Sequence, residues 1–190
     1  RSSDWAQTFA RIDRVEGVKV VILNHARDIH SGVTPFGPNL FNDAAGVNVD
    51  GWQLRANAME VINSSATQTD ILQLFRDWMT LLNRGHQITP IGSSDSHDVA
   101  RHFVGQGRTY IHCNDADPSE IDVDMAVNSL LQGQVRISYG LLTALTVDDK
   151  CTSGELARVP GDTITVRTQV LGPAWVEASK LILYANGEPI

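Results

Sequence analysis

Over residues 1–140, helix-period segments alternate with short apolar runs, and the runs end in clusters of polar residues. Alternation of this kind calls for crossover connections between parallel strands, and so for an α/β layer or barrel. Trp5, Phe9, Ile12 and Val15 form one apolar stripe, which predicts a helix over Asp4–Val15 that Gly17 stops. The near-continuous apolar run Val18–Leu23 predicts a strand covered on both faces, as in a parallel sheet. Ala58–Ile62 is a further strand. Thr67 and Asp70 resemble a capping box for a helix carrying Ile71, Leu74, Phe75, Trp78, Leu81 and Leu82, which Arg84 and Gly85 close. Gln87–Ile91 follows as a strand, then a strand at 108–112, a helix from Pro118 to about Leu131, and a strand at 135–138.

Ligand sites in such layers lie at the carboxyl ends of the strands, and here those ends hold potential metal donors. Asn24-His25-Ala26-Arg27-Asp28 follows the first strand, and Ile91-Gly-Ser-Ser-Asp-Ser-His97 closes another. If the backbone stays extended through Asp95 and His97, both side chains leave one face and make a two-ligand lip for a divalent ion. Gly92, Ser93, Ser94 and Ser96 leave room beside them. The plainer alternative is a polar loop in which Asp95 caps a helix and His97 is solvated. Asp28 and His30 repeat the spacing, but no strand holds them. Glu60 sits mid-strand, where a carboxylate is more often paired structurally than bound to an ion. Residues 29–51, rich in Gly, Pro, Asn and Asp, form a long loop suited to a wall or lid over such a site.

Beyond Gly140 the helical period disappears. Runs at 145–147, 163–170 and 180–184, with the turn pair Asn186-Gly187, predict the start of a β-sandwich-like module over 141–190. A net charge of −7 argues against nonspecific binding to nucleic acid or an anionic membrane, and no apolar run is long enough to span a bilayer. Two cysteines, Cys113 and Cys151, define no disulfide framework. The chain opens at Arg1 rather than at a methionine, which points to an upstream segment.

Taken together and in order, Asn24-His25, Met59-Glu-Val-Ile-Asn-Ser-Ser65 and Ile91-Gly-Ser-Ser-Asp-Ser-His97 resemble the C-terminal half of a PHP-domain metal-dependent phosphoesterase. With Arg-Thr-Tyr following and a β module appended, the chain is similar to the carbaryl-hydrolase-like (CehA/McbA) branch. The resemblance covers about residues 15–140. It implies an α/β fold, the C-terminal part of a distorted (β/α)7 barrel over 1–140 followed by the partial all-β module. It also implies two or three divalent ions (Zn, Mn or Fe) per complete site, with His25, Asp95 and His97 at ligand positions. The implied activity is hydrolysis of a small-molecule phosphoester, or a related ester or carbamate, by a metal-activated water. Arg27, Arg101 and His102 are candidates for stabilising a phosphate or leaving group.

Two features depart from that pattern. The family's H-x-H pair is N-terminal, and no H-x-H occurs in these 190 residues, so this chain holds an incomplete ligand set. Ala26 stands where proline usually follows the histidine. An amidohydrolase-type metallohydrolase and a degenerate, non-catalytic barrel serving as a binding module are the alternatives. The appended β module leans toward a periplasmic or extracellular setting.

Overall fold

Ala58-Met-Glu-Val-Ile-Asn63 is buried along nearly its whole length because it forms the middle of a three-stranded parallel sheet. The computed structural model describes residues 4–30, 34–37, 39–66, 70, 72–100 and 103–190. In chain order the elements are α1 (Trp5–Ile12), β1 (Ile22–Leu23), β2 (Phe41–Asn42), β3 (Val47–Asn48), β4 (Ala58–Asn63), α2 (Gln73–Asn83) and β5 (Thr89–Ser93). Then come β6 (Arg108–Ile111), a 3-10 turn (Pro118–Glu120), α3 (Val123–Leu131), β7 (Val135–Ser138), β8 (Leu142–Val147), β9 (Val166–Leu171), β10 (Tyr184–Ala185) and β11 (Glu188–Pro189). The central sheet has the order β1-β4-β5, with both pairs parallel, so the C-terminal ends of its strands share one edge.

The strand alternation of β4 divides its side chains between two cores. Met59 and Val61 join Leu23, Phe36, Phe41, Leu74, Leu81 and Ile88 on the side of α2, where Trp78 Nε1 donates to the Ile88 carbonyl at 2.9 Å. Ala58 faces the other way, with Ile91, Leu130 and Val135 beside α3, and Thr89 Oγ1 donates to the Leu130 carbonyl at 2.7 Å. A register shift between Glu60 and Ile62 interrupts the β4–β5 ladder. Asp4 caps α1 through Gln7 N–H, and Asp122 caps α3 through Met125 N–H.

The expected (β/α)7 barrel is not what the chain forms: no sheet closes among the described residues, and the fold is mixed, with three α-helices and several small sheets. The parallel ladder stops at three strands for two reasons. On one side β1 is only two residues long, with Ile22 44% exposed, so the run expected to be covered on both faces is a half-covered edge. On the other, β6 pairs antiparallel with β7 rather than extending the parallel order. The β6–β7 pair meets β5 through a side chain: Thr109 Oγ1 accepts from Gly92 N–H at 2.9 Å and donates to the Gly92 carbonyl at 2.8 Å. A methyl at Gly92 would lie 2.7 Å from both the Arg108 carbonyl oxygen and Ile137 Cγ2. The space this glycine leaves is therefore filled by protein backbone and is not free for a ligand.

The 29–51 segment is not a bare loop. Within its described residues β2 and β3 pair antiparallel, and Phe36 and Phe41 stack at 4.1 Å inside the core. Arg84 Nη2 donates to the Ala44 carbonyl, tying the segment to the end of α2. The expected capping box falls partly on Thr67, outside the described residues; α2 starts at Gln73 after Leu72, which contributes no side-chain cap. The helix expected from Pro118 breaks after the 3-10 turn and restarts at Val123.

In the last fifty residues β8 and β9 form an antiparallel pair, and β10 and β11 a hairpin around Asn186-Gly187. That hairpin packs on α2: Asn83 Nδ2 donates to the Asn186 carbonyl at 3.0 Å, and Tyr184 meets Phe75 edge-on at 5.1 Å. Cys113 and Cys151 are free thiols. No helix among the described residues is long and apolar enough to cross a membrane.

Candidate functional site

Because β1, β4 and β5 run parallel, the residues just past their C-terminal ends gather at one edge of the sheet. His25 follows β1 by two residues, Asn63 ends β4, and Asp95 follows β5 by two. Glu60 is 6% exposed and lies between them. Its Oε2 accepts the His25 backbone N–H at 2.5 Å and Asn63 Nδ2 at 3.0 Å, while Oε1 accepts Ser93 Oγ at 2.5 Å. Asn63 Nδ2 also donates to Asp95 Oδ2 at 3.2 Å. One carboxylate and one amide thus connect two of the three expected metal ligands.

The third, His97, is attached to Asp95. Its Nδ1 stands 2.7 Å from the Asp95 carbonyl oxygen and 3.8 Å from Asp95 Oδ1, and its side chain is 77% exposed. A carbonyl acceptor at Nδ1 fixes the proton there and leaves the Nε2 lone pair facing outward. The extended path expected through 95–97 does not occur: Asp95 has φ +49°, in the left-handed region that Asp tolerates better than most residues. Asp95 and His97 are neighbours through this turn and not through strand alternation. His25 is likewise left-handed, at φ +32°.

His25 Nδ1 is buried with no hydrogen-bond partner, and its Nε2 is 2.9 Å from Asn24 Nδ2. Asn24 Nδ2 donates to Nε2 in this arrangement, which puts the ring proton on Nδ1; a lone pair at Nδ1 belongs to the other tautomer, with the amide oxygen turned to Nε2. Ser96 Oγ is the other buried side-chain atom without a partner. Imidazole nitrogens and a carboxylate oxygen are donor types that suit Zn, Mn or Fe. Among the described residues no three His, Cys, Asp or Glu side chains stand close enough to enclose a cation.

The other nominated residues stand elsewhere. Arg27 turns to α2, where Nε and Nη2 grip Asp77 at 2.5 and 2.8 Å. Asp77 is fully buried; burial pushes its carboxyl upward from the usual range, and the Arg27 guanidinium pulls against that shift. Arg101 and His102 lie outside the described residues. Asp28 Oδ1 accepts the His30 N–H at 3.1 Å, a local turn. The serines serve the scaffold: Ser65 Oγ donates to the Ser94 carbonyl, and Gly107 N–H donates to Ser64 Oγ. Asn63 is the participant that motif spacing misses. A carboxylate on an otherwise buried strand, followed by an amide three residues later, is the signal that points to it.

Comparison with protein-family models, curated proteins and solved structures found no match to this chain.

Proposed function

We propose that this chain supplies one side of a divalent-metal site in a hydrolase of small-molecule phosphoesters or related esters, with His25, Asp95 and His97 as the donors. The observation that carries the reading is the buried, unpartnered Nδ1 of His25 at the sheet edge where Asp95 and His97 also emerge. A buried ring nitrogen left without a partner is costly, and in the tautomer with its proton on Nε2 a cation can take that place. The ordered motif resemblance supports the same assignment. A divalent ion held there supplies Lewis acidity, making a bound water more acidic and drawing charge from an ester oxygen.

The protein's own groups do the rest. Asn63 occupies one Asp95 oxygen and leaves the other to face the lip. The Asp95 carbonyl sets the His97 tautomer. Arg27, spent on Asp77, serves in this reading as a strut for the 24–28 turn and makes no substrate contact.

The test is Zn2+ and Mn2+ binding by calorimetry and elemental analysis, with hydrolysis of p-nitrophenyl phosphate and its diester measured on the same preparations. The wild type is expected to bind metal, and His25→Ala, Asp95→Asn and His97→Ala to lose affinity and metal-stimulated hydrolysis together. A wild type that takes up neither ion, or variants retaining full metal content, overturns the reading.

A further inference from the structure

We infer that Glu60 and Asn63 form a positioning bracket that sets the backbone of His25 and the carboxylate of Asp95 relative to each other. The inference rests on the reading of His25 and Asp95 as metal donors, but the bracket itself is observable without metal.

Three observations carry it. Glu60 is buried in the middle strand, yet its partners among the described residues are neutral donors: a backbone N–H, an amide and a hydroxyl. A carboxylate accepts through both of its oxygens, so one side chain can hold all three donors at once. Two of the donors lead to the candidate ligands, His25 directly and Asp95 through Asn63. Both candidate ligands have left-handed backbones without being glycine, a conformation that Asp and His adopt more readily than most residues. The bracket is what ties those two turns to β4.

The β4 irregularity makes the bracket possible. In an unbroken strand residues 60 and 63 point to opposite faces. The register shift between Glu60 and Ile62 brings Asn63 round to within 3.0 Å of the Glu60 carboxylate. The lateral donor from Ser93 fixes the other carboxylate oxygen from β5, so β4, β5 and the turn that follows β1 contribute to the arrangement.

Glu60→Gln, Glu60→Ala and Asn63→Ala test the bracket in two measurements. The first is the amide spectrum of the metal-free protein. In the wild type the His25 amide proton is expected far downfield and slow to exchange, and in Glu60→Ala it loses both properties. Glu60→Gln should keep them, since its amide oxygen can face His25 and Asn63 while its NH2 turns to Ser93 Oγ. The second measurement is Mn2+ affinity, expected to fall about 10- to 100-fold in Glu60→Ala and Asn63→Ala, as for groups that orient a ligand, and to stay near wild type in Glu60→Gln.

If the wild type binds no metal, the ligand reading fails while the amide spectrum still decides the bracket. Should Glu60→Ala not fold, Asn63→Ala carries the test through the Asp95 resonances, which must shift. A His25 amide unmoved by Glu60→Ala, Asp95 resonances unmoved by Asn63→Ala, or Glu60→Gln behaving as Glu60→Ala overturns the inference.

Discussion

Replacing Arg27 with methionine leaves a carboxylate in the interior with its cation gone. Asp77 has no exposed side-chain surface and Arg27 only 16%, and the two meet through a two-point contact at 2.5 and 2.8 Å. The remaining described partner of Asp77, Gln73 Nε2 at 3.1 Å, is neutral and cannot balance the charge. Removing one member of such a buried pair costs about 3–5 kcal/mol. At about 2–4 °C per kcal/mol for a chain of this length, the midpoint of thermal unfolding should fall by roughly 6–20 °C.

The loss should also depend on pH, with a definite sign. Burial raises the Asp77 pKa in the folded protein, so its contribution to stability is fully present below the unfolded carboxylate pKa and is lost as pH rises through the folded one. Without Arg27 the downward pull on that pKa disappears and the window widens upward. The deficit of Arg27→Met relative to wild type should therefore be larger at pH 8 than at pH 5, where the buried acid is more nearly neutral. Urea unfolding at the two pH values, followed by tryptophan fluorescence, measures it; Trp78 lies on the same helix as Asp77. Pairing Arg27→Met with Asp77→Leu should recover much of the loss, because the stranded charge is then absent. A deficit below about 1 kcal/mol at pH 8, or one that does not shrink at pH 5, would refute the argument.

Two further substitutions test how the fold is built. Phe36→Ala should destabilise the protein by about 3–5 kcal/mol in urea unfolding, since Phe36 is 1% exposed and stacked on Phe41; a lid residue would cost far less. Gly92→Ala should cost at least about 1–3 kcal/mol, because its methyl would press on the Arg108 carbonyl and Ile137; a neutral result would mean that β5 and β6 do not cross so closely.

What the sequence made legible was local. The hydrophobic spacing from Leu74 to Leu82 located α2, the Arg84-Gly85 end was readable from its chemistry, and β4 and β5 stood within about two residues of their expected positions. The parallel order of β1, β4 and β5 followed from the alternation, and it places His25 and Asp95 at one edge. What stayed hidden was set by long-range contacts. Nothing in Arg108–Ile111 tells an antiparallel partner 24 to 30 residues away from a parallel neighbour, so the barrel that the family resemblance implies does not close among the described residues. Phe36 and Phe41, five apart, fit neither a helical nor a strand period, and their stacking depends on the path of the backbone between them. The turn at Asp95 was invisible because aspartate accepts both extended and left-handed backbones. The Glu60–Asn63 link needed a strand irregularity that a period of two cannot reveal.

The β10–β11 hairpin has a consequence for synthesis. Its turn residue Asn186 is hydrogen-bonded to Asn83, 103 positions earlier, and Tyr184 sits against Phe75. At about 5–20 residues per second, a ribosome completes that interval in roughly 5–20 s. Throughout that delay the outer side of the second helix waits for its cover, with an aromatic ring turned toward water. The stretch that shields it is made only after those 103 residues.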